Sequence, residues 1–379
     1  MKILFLTNHL NQNDGWSRYT FDIGTELIKH GHQVYCLVCQ PSTQTGIVER
    51  VVLDDPLRYL GNIFRVYTTA RQIQHYVDEF DPDIIHVPVE PYVFLLSFLK
   101  IRRAVTVLTV HGTYSYIPVL FKNPLRKIMA SYLTMSVYQR LNKIIAGSHY
   151  TEKYLLTRLS SWLRSAIKNK IFVISHGIHF KENLSLVRQS NPSSRKNILF
   201  VGGIKARKGI LEAIEALKIY KERYGDMFLF RIVGSFKPND VYYQTVRSAV
   251  SRAALDKNVV FEGRVDDVRL DECYKQADVF LMLSINDGKH FEGFGLVYLE
   301  ANMYGVPCIG PNDSGAAEAI LDGTTGYVVN AHNSEQVADR LNNILNKNLI
   351  EKKQCVAWAQ KNDLSYKIRE LLDIYTKNV

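Results

Sequence analysis

The features this chain lacks narrow its possibilities first. No apolar run approaches the ~18 residues that span a bilayer; the longest, residues 93–99, stops at Lys100. The opening apolar stretch, residues 3–6, is short for a secretory signal and runs straight into a strand pattern. A cytoplasmic location is expected, at most at the inner face of a membrane. Cysteine is sparse and odd in number: Cys36, Cys39, Cys273, Cys308 and Cys355. No second Cys/His pair with ligand spacing follows Cys36-x-x-Cys39, and strand positions three apart face opposite sides. Buried thiols are therefore expected there rather than a metal or redox site. No convincing Asp-x-Asp follows a strand, and His176 and His179 have no further ligands at suitable spacing, so no metal is expected.

Acidic residues are absent from 91–151, a stretch that holds eight cations: Lys100, Arg102, Arg103, Lys122, Arg126, Lys127, Arg140 and Lys143. The net charge of +10 accordingly sits in the first half. Residues 1–190 carry 22 Lys and Arg against 13 Asp and Glu, and the remainder 25 against 24. Between the cations lie Phe94, Leu95, Leu96, Leu99, Ile117 and Phe121. Basic and apolar residues together suit peripheral contact with an anionic membrane through residues 91–151, or an anionic acceptor, or simply a solvated basic face. No nucleic-acid motif accompanies the charge, so nucleic acid is not expected as a partner.

The 379 residues, 46% hydrophobic and 22% charged, are enough for two ordinary domains. Short, almost wholly apolar strand patterns fall at 2–7, 33–39, 83–87, 104–110, 143–146 and 171–174. Helical patterns separate them at 17–30, 60–80, 123–141 and 151–159. After a polar linker, 181–196, the alternation restarts with strands at 197–201, 228–233, 259–261, 279–283 and 307–309. Such alternation predicts parallel sheets covered on both faces. Two α/β units imply a cleft, with ligands at the carboxyl ends of the strands. A last helix is expected over 363–379.

The segment Phe291-Glu292-Gly293-Phe294-Gly295-Leu296-Val297-Tyr298-Leu299-Glu300-Ala301 follows a buried strand, bends through glycines and opens a helix. First-turn amides around Phe294, Gly295 and Leu296 would be open donors at a positive dipole end, suited to phosphate. Eight residues of helix rise about 12 Å. That is long for a glycosidase carboxylate pair, and it suits two separate hydroxyl clamps at Glu292 and Glu300.

With Gly305-Val306-Pro307 behind it, this segment resembles the E-x7-E signature of the retaining glycosyltransferases of family 4. Ser314-Gly315-Ala316-Ala317-Glu318, Asp322-Gly323-Thr324-Thr325-Gly326 and Val173-Ile174-Ser175-His176-Gly177-Ile178 are similar to further stretches of that family, in order. The resemblance implies the GT-B fold, α/β with two Rossmann-like parallel-sheet domains facing across a cleft. Residues 1–180 would form an acceptor-side domain onto which the last helix packs back, and 197–362 a donor-binding domain.

It also implies roles. Gly202-Gly203-Ile204-Lys205-Ala206-Arg207-Lys208-Gly209 resembles the family's G-R-x-x-x-x-K-G loop that binds the donor pyrophosphate. Lys208 matches its lysine, Gly203 replaces its arginine, and Arg207 would supply the missing charge. Glu300 would hold the ribose hydroxyls and Glu292 the sugar hydroxyls. His111, at a strand end beside Gly112, resembles a histidine near the donor sugar, and Ser148 a serine after the next strand. Backbone near Val265 would read the base. In Asp14-Gly15-Trp16-Ser17, Trp16 stands where the family has a second glycine, leaving Gly15 for phosphate or acceptor contact.

The expected activity is transfer of a hexose-type sugar from a UDP- or GDP-sugar, with retention and without metal or other cofactor. The acceptor would be a glycan or lipid-linked molecule in surface-polysaccharide or glycoconjugate assembly. A sugar-nucleotide epimerase of the same fold and a non-catalytic partner subunit are the alternatives.

Overall fold

The computed structural model describes residues 1–11, 14–42, 46–60, 62–181, 195–288 and 290–377. Most of the expected linker lies outside them. The chain divides into two compact units, Met1–Gly177 with Leu364–Val379, and Ile178–Asp363.

The first unit contains β1 (Lys2–Leu6), α1 (Gly15–Lys29), β2 (Gln33–Val38), β3 (Val48–Val51), α2 (Ile63–Phe80), β4 (Ile84–Val87), β5 (Val105–Val110), α3 (Pro124–Arg140), β6 (Lys143–Ala146), α4 (His149–Arg158), α5 (Ser161–Ile167) and β7 (Ile171–Val173). Its parallel sheet runs β3-β2-β1-β4-β5-β6-β7. Side chains of β1 alternate: Leu4 and Leu6 join one apolar cluster, Ile3 and Phe5 another. Both faces are covered, which is why these strands read as unbroken apolar runs.

The second unit contains β8 (Lys196–Val201), α6 (Ile210–Tyr224), β9 (Phe228–Val233), α7 (Val241–Arg252), β10 (Val259–Gly263), α8 (Asp267–Gln276), β11 (Val279–Leu281), α9 (Leu296–Met303), β12 (Cys308–Pro311), β13 (Gly326–Val329), α10 (Ser334–Leu345) and α11 (Lys352–Lys361). Its parallel sheet runs β10-β9-β8-β11-β12-β13. The last helix, α12 (Leu364–Thr376), belongs to the first unit. It buries Ile368, Leu371, Ile374 and Tyr375 beside Ile23 and Leu27 of α1. Lys143, almost fully buried at the start of β6, donates to the carbonyls of Ile374, Tyr375 and Lys377. A cation at a helix carboxyl end satisfies orphan carbonyls and opposes the negative dipole end.

Both sheets reverse their winding at one place. In the first unit that switch point lies between β1 and β4; in the second, between β8 and β11. The crevice at the carboxyl ends of such a strand pair is where an open α/β sheet takes a ligand.

The interleaved apolar residues of the acid-free stretch are not a surface. Phe94, Leu95, Leu96, Leu99 and Ile117 are buried in the first unit's core, because the segments Glu90–Ser97 and Thr113–Leu120 wind as 3₁₀ turns against α3. Exposed apolar residues sit instead on α3, at Leu125, Ile128 and Tyr132, beside the exposed Arg126 and Lys127. No helix among the described residues is long and apolar enough to cross a membrane. Cys36 is buried in one core face; Cys39, half-buried just past β2, packs against the other.

Candidate functional site

In the second unit the loops leaving β8 and β11 are fastened together. The Ile285 amide donates to the Arg207 carbonyl at 2.8 Å. Gly209, with φ +68°, lies so close that an added Cβ would fall 1.7 Å from the Leu283 carbonyl oxygen. Only glycine fits that approach. The result places Lys208 Nζ 2.5 Å and Arg207 Nη1 3.6 Å from the same oxygen, Oε2 of Glu292. Ser284 Oγ donates to it at 3.3 Å. Burial pushes the Glu292 carboxyl up, but Lys208, Arg207 and Ser284 together outweigh burial and hold it below its ordinary range.

Glu292 is fixed along the backbone as well, its carbonyl accepting from the Gly315 amide at 2.9 Å. Three residues on, Gly295 takes φ +83° and begins α9 with no side chain to cap it. A Cβ there would strike the ring of Tyr298 at 2.7 Å; that ring is buried and anchored by its hydroxyl to the Met282 carbonyl. Leu296 and Val297 therefore present first-turn amides at a positive helix end. The Phe294 side chain is core, so its place in the site is through the backbone.

Glu300 lies farther along α9, buried, with Oε2 accepting from Tyr274 Oη at 2.9 Å. Tyr274 stacks on Tyr304, whose hydroxyl donates to Asp271, the ion-pair partner of Lys181. Val265, between β10 and α8, packs partly buried against the unit's core. At Gly203 the nearest atoms to an added Cβ are Ser235 Oγ at 3.6 Å and Lys205 Cε at 3.8 Å. A Cβ there would meet only ordinary contacts.

The first unit's switch point has a different character. Asp14 caps α1, its Oδ1 accepting from the amides of Trp16 and Ser17 at 2.9 and 3.0 Å. Its Oδ2 meets Asn8 Nδ2 and His9 Nε2, both at 3.1 Å. A carboxylate thus takes the amides of Trp16 and Ser17 and places negative charge beside Gly15. Ser148 is likewise committed: fully buried, it caps α4 by accepting from the Thr151 amide at 3.0 Å.

His111 has both ring nitrogens engaged. Nε2 faces the Pro88 carbonyl at 2.9 Å and must donate; Nδ1 then accepts from His176 Nε2 at 3.2 Å. Burial first, then the neighbouring His176, holds His111 far below its ordinary value, so the ring is neutral. Behind it a polar chain runs inward. Tyr19 Oη lies 3.3 Å from Thr109 Oγ1, His86 Nε2 2.7 Å from that same oxygen, and His86 Nδ1 2.6 Å from Tyr375 Oη.

Sequence reading missed Glu90, just past β4. It is 1% exposed, and its Oε1 accepts from the His111 amide at 2.8 Å while Oε2 accepts from Trp16 Nε1 at 2.7 Å. The available signal was an acid between Pro88 and Pro91 at a strand exit, the last acid before the acid-free stretch. No cluster of three or more His, Cys, Asp or Glu placed to hold a metal occurs among the described residues.

Residues 13–182 match Glycosyltransferase Family 4, and residues 185–362 match Glycosyl transferases group 1. The chain is 30% identical over 223 residues, 56% of its length and 55% of the relative's, to an uncharacterized 41.2 kDa protein in the cps region of Klebsiella pneumoniae. It is 30% identical over 153 residues to a GDP-mannose-dependent alpha-(1-6)-phosphatidylinositol monomannoside mannosyltransferase of Mycolicibacterium smegmatis, covering 40% of this chain and 39% of that one. The chain thus spans about half the length of the first relative and less of the second. HepE of Anabaena, solved with UDP and glucose, superposes over 100% of both chains with a TM-score of 0.76 at 17% identity, a likeness of fold.

Proposed function

The chain belongs to the family 4 glycosyltransferases, and on that footing we propose that it moves a hexose-type sugar from a nucleoside-diphosphate sugar to a glycan or lipid-linked acceptor, with retention of anomeric configuration. The observation that carries this reading is the meeting of Lys208, Arg207 and Glu292 at the β8/β11 switch point. Lys208, Arg207 and the α9 amides take the diphosphate, offsetting the charge that grows on it as it leaves. Glu292 accepts from sugar hydroxyls, and Glu300, steadied by Tyr274, from the ribose.

The C1–phosphate oxygen bond breaks as the acceptor oxygen bonds C1 from the same face, and the acceptor's proton passes to the departing phosphate oxygen. His111, locked as a neutral ring, acts as a positioning residue rather than an acid or base. The backbone near Val265 reads the base. The exposed Leu125, Ile128 and Tyr132 of α3, with Arg126 and Lys127, form the face that rests on an anionic membrane.

Thermal shift and slow donor hydrolysis across UDP- and GDP-sugars test the reading. One nucleotide sugar should raise Tm and be hydrolysed, and Glu292→Ala should cut turnover by about 10²-fold. Absence of both binding and hydrolysis, with Glu292→Ala without effect, removes the transferase reading; release of an altered sugar nucleotide without acceptor puts the epimerase in its place.

A further inference from the structure

Trp16, in the first turn of α1 at the mouth of the β1/β4 switch point, is fixed by a buried partner. Its indole N–H donates to a carboxylate that is 1% exposed. Burying a carboxylate is costly unless hydrogen-bond donors meet it, and here the indole joins backbone amides of the loop leaving β5 in doing so. Glu90 grips two things at once, the indole through Oε2 and the His111 amide through Oε1. It therefore fixes the plane of Trp16 relative to the loop leaving β5. From that loop Tyr114 brings its ring to 5.1 Å from the indole at 50°. Both rings remain partly exposed.

We propose that Trp16 and Tyr114 form an aromatic platform for a sugar ring of the acceptor, with Glu90 as its positioning residue. This rests on the transferase reading above. The axial C–H groups of a pyranose carry slight positive charge and settle on the negative face of an aromatic ring. A lipid chain fits this place less well. The exposed aliphatic residues Leu125 and Ile128 lie on α3, whereas this mouth joins two aromatic rings to the Asp14 carboxylate at the start of α1. Phosphate fits it poorly too, since Asp14 already fills the helix end.

The test uses the full chain with Trp162 and Trp358 changed to Phe, leaving Trp16 as the fluorescent reporter. Methyl glycosides of glucose, galactose, mannose and N-acetylglucosamine are titrated, with citronellyl phosphate as the lipid probe. At least one glycoside should quench Trp16 saturably. In transfer assays, Trp16→Leu should raise the acceptor KM about tenfold and Trp16→Phe about threefold, with donor hydrolysis within about twofold of the parent. Glu90→Gln, which can accept only one of the two N–H groups, should raise the acceptor KM by a larger factor than it lowers donor hydrolysis.

Equal effects of Leu and Phe, a matched loss of donor hydrolysis, or quenching by citronellyl phosphate alone would overturn the platform. Failure of all nucleotide sugars to bind would sink the transferase reading instead, while the glycoside titration still decides the platform.

Discussion

At the first unit's switch point, α1 begins on Asp14, whose carboxylate spends itself on two helix amides and on Asn8 and His9. At the second unit's switch point, α9 begins on a left-handed glycine that brings no side-chain cap. The same crevice of the same topology is closed in one case and open in the other. In the first unit the titratable groups are matched inward: His111 to His176, His86 to Thr109 and Tyr375, Glu90 to Trp16. In the second, two cations share one carboxylate oxygen, which leaves a net positive charge there for an anion. The proposed donor diphosphate suits the crevice with net positive charge, and the proposed acceptor platform suits the other.

The sharpest way to break this contrast is pH. Burial lowers His86 to about 3 and His176 to about 4, and holds His111 well below 6.5. Stability from a depressed group is present above its ordinary pKa and lost as pH falls toward the folded value, because the unfolded chain takes protons the folded one refuses. Glu90 works the other way. Burial raises it to about 7, so its charge penalises the fold as pH rises from about 4.5 to 7. Between pH 6.5 and 4.5, three histidines outweigh one carboxyl. The first unit should weaken on acidification by up to ~3 kcal/mol per pH unit. Urea midpoints followed by Trp16 and Trp162 in a Trp358→Phe chain check this; a flat profile from pH 7 to 5 refutes it. Glu90→Gln should steepen the loss by removing the opposing group.

How much of this was legible in sequence follows from what each feature depends on. The strands expected from apolar runs are present with ends shifted by no more than two residues, since a buried parallel strand is apolar by necessity. β3, with three exposed residues, and the 3₁₀ segments around Pro91 and Pro118 carry no period to read. The Lys208–Glu292 meeting was foreshadowed by motif. The convergence of Arg207 on the same oxygen was not, because it needs the backbone bond from Ile285. Ser148 and the neighbour of Gly15, Asp14, also serve as helix caps, which the motif positions alone did not suggest. Glu90 offered only a faint signal, a lone acid between two prolines at a strand exit, which has no meaning until its partners are placed.

A subtler probe asks whether the open crevice is as open as it could be. Gly203 has no left-handed φ and a Cβ there meets only ordinary contacts, so Gly203→Arg is a direct probe of added charge at that position. If Arg207 only partly replaces that charge, donor KM should fall about tenfold, the value of one charge-assisted bond, with kcat little changed. An unchanged KM would mean that Arg207 already does the whole task, and Arg207→Ala should then cost what Gly203→Arg failed to add.

The smallest effect inverts the closed crevice. Asp14→Ala removes the α1 cap and frees the amides of Trp16 and Ser17. Loss of such a cap costs about 1 kcal/mol, or roughly 2–4 °C in Tm for a unit of this size. The freed amides at a positive dipole end then form an anion site. Inorganic phosphate should therefore restore part of the lost Tm in the variant, read by first-unit fluorescence, and leave the parent's first unit unmoved. Phosphate that stabilises parent and variant alike would show that Asp14 never excluded it, and the contrast between the two switch points would lose its electrostatic basis.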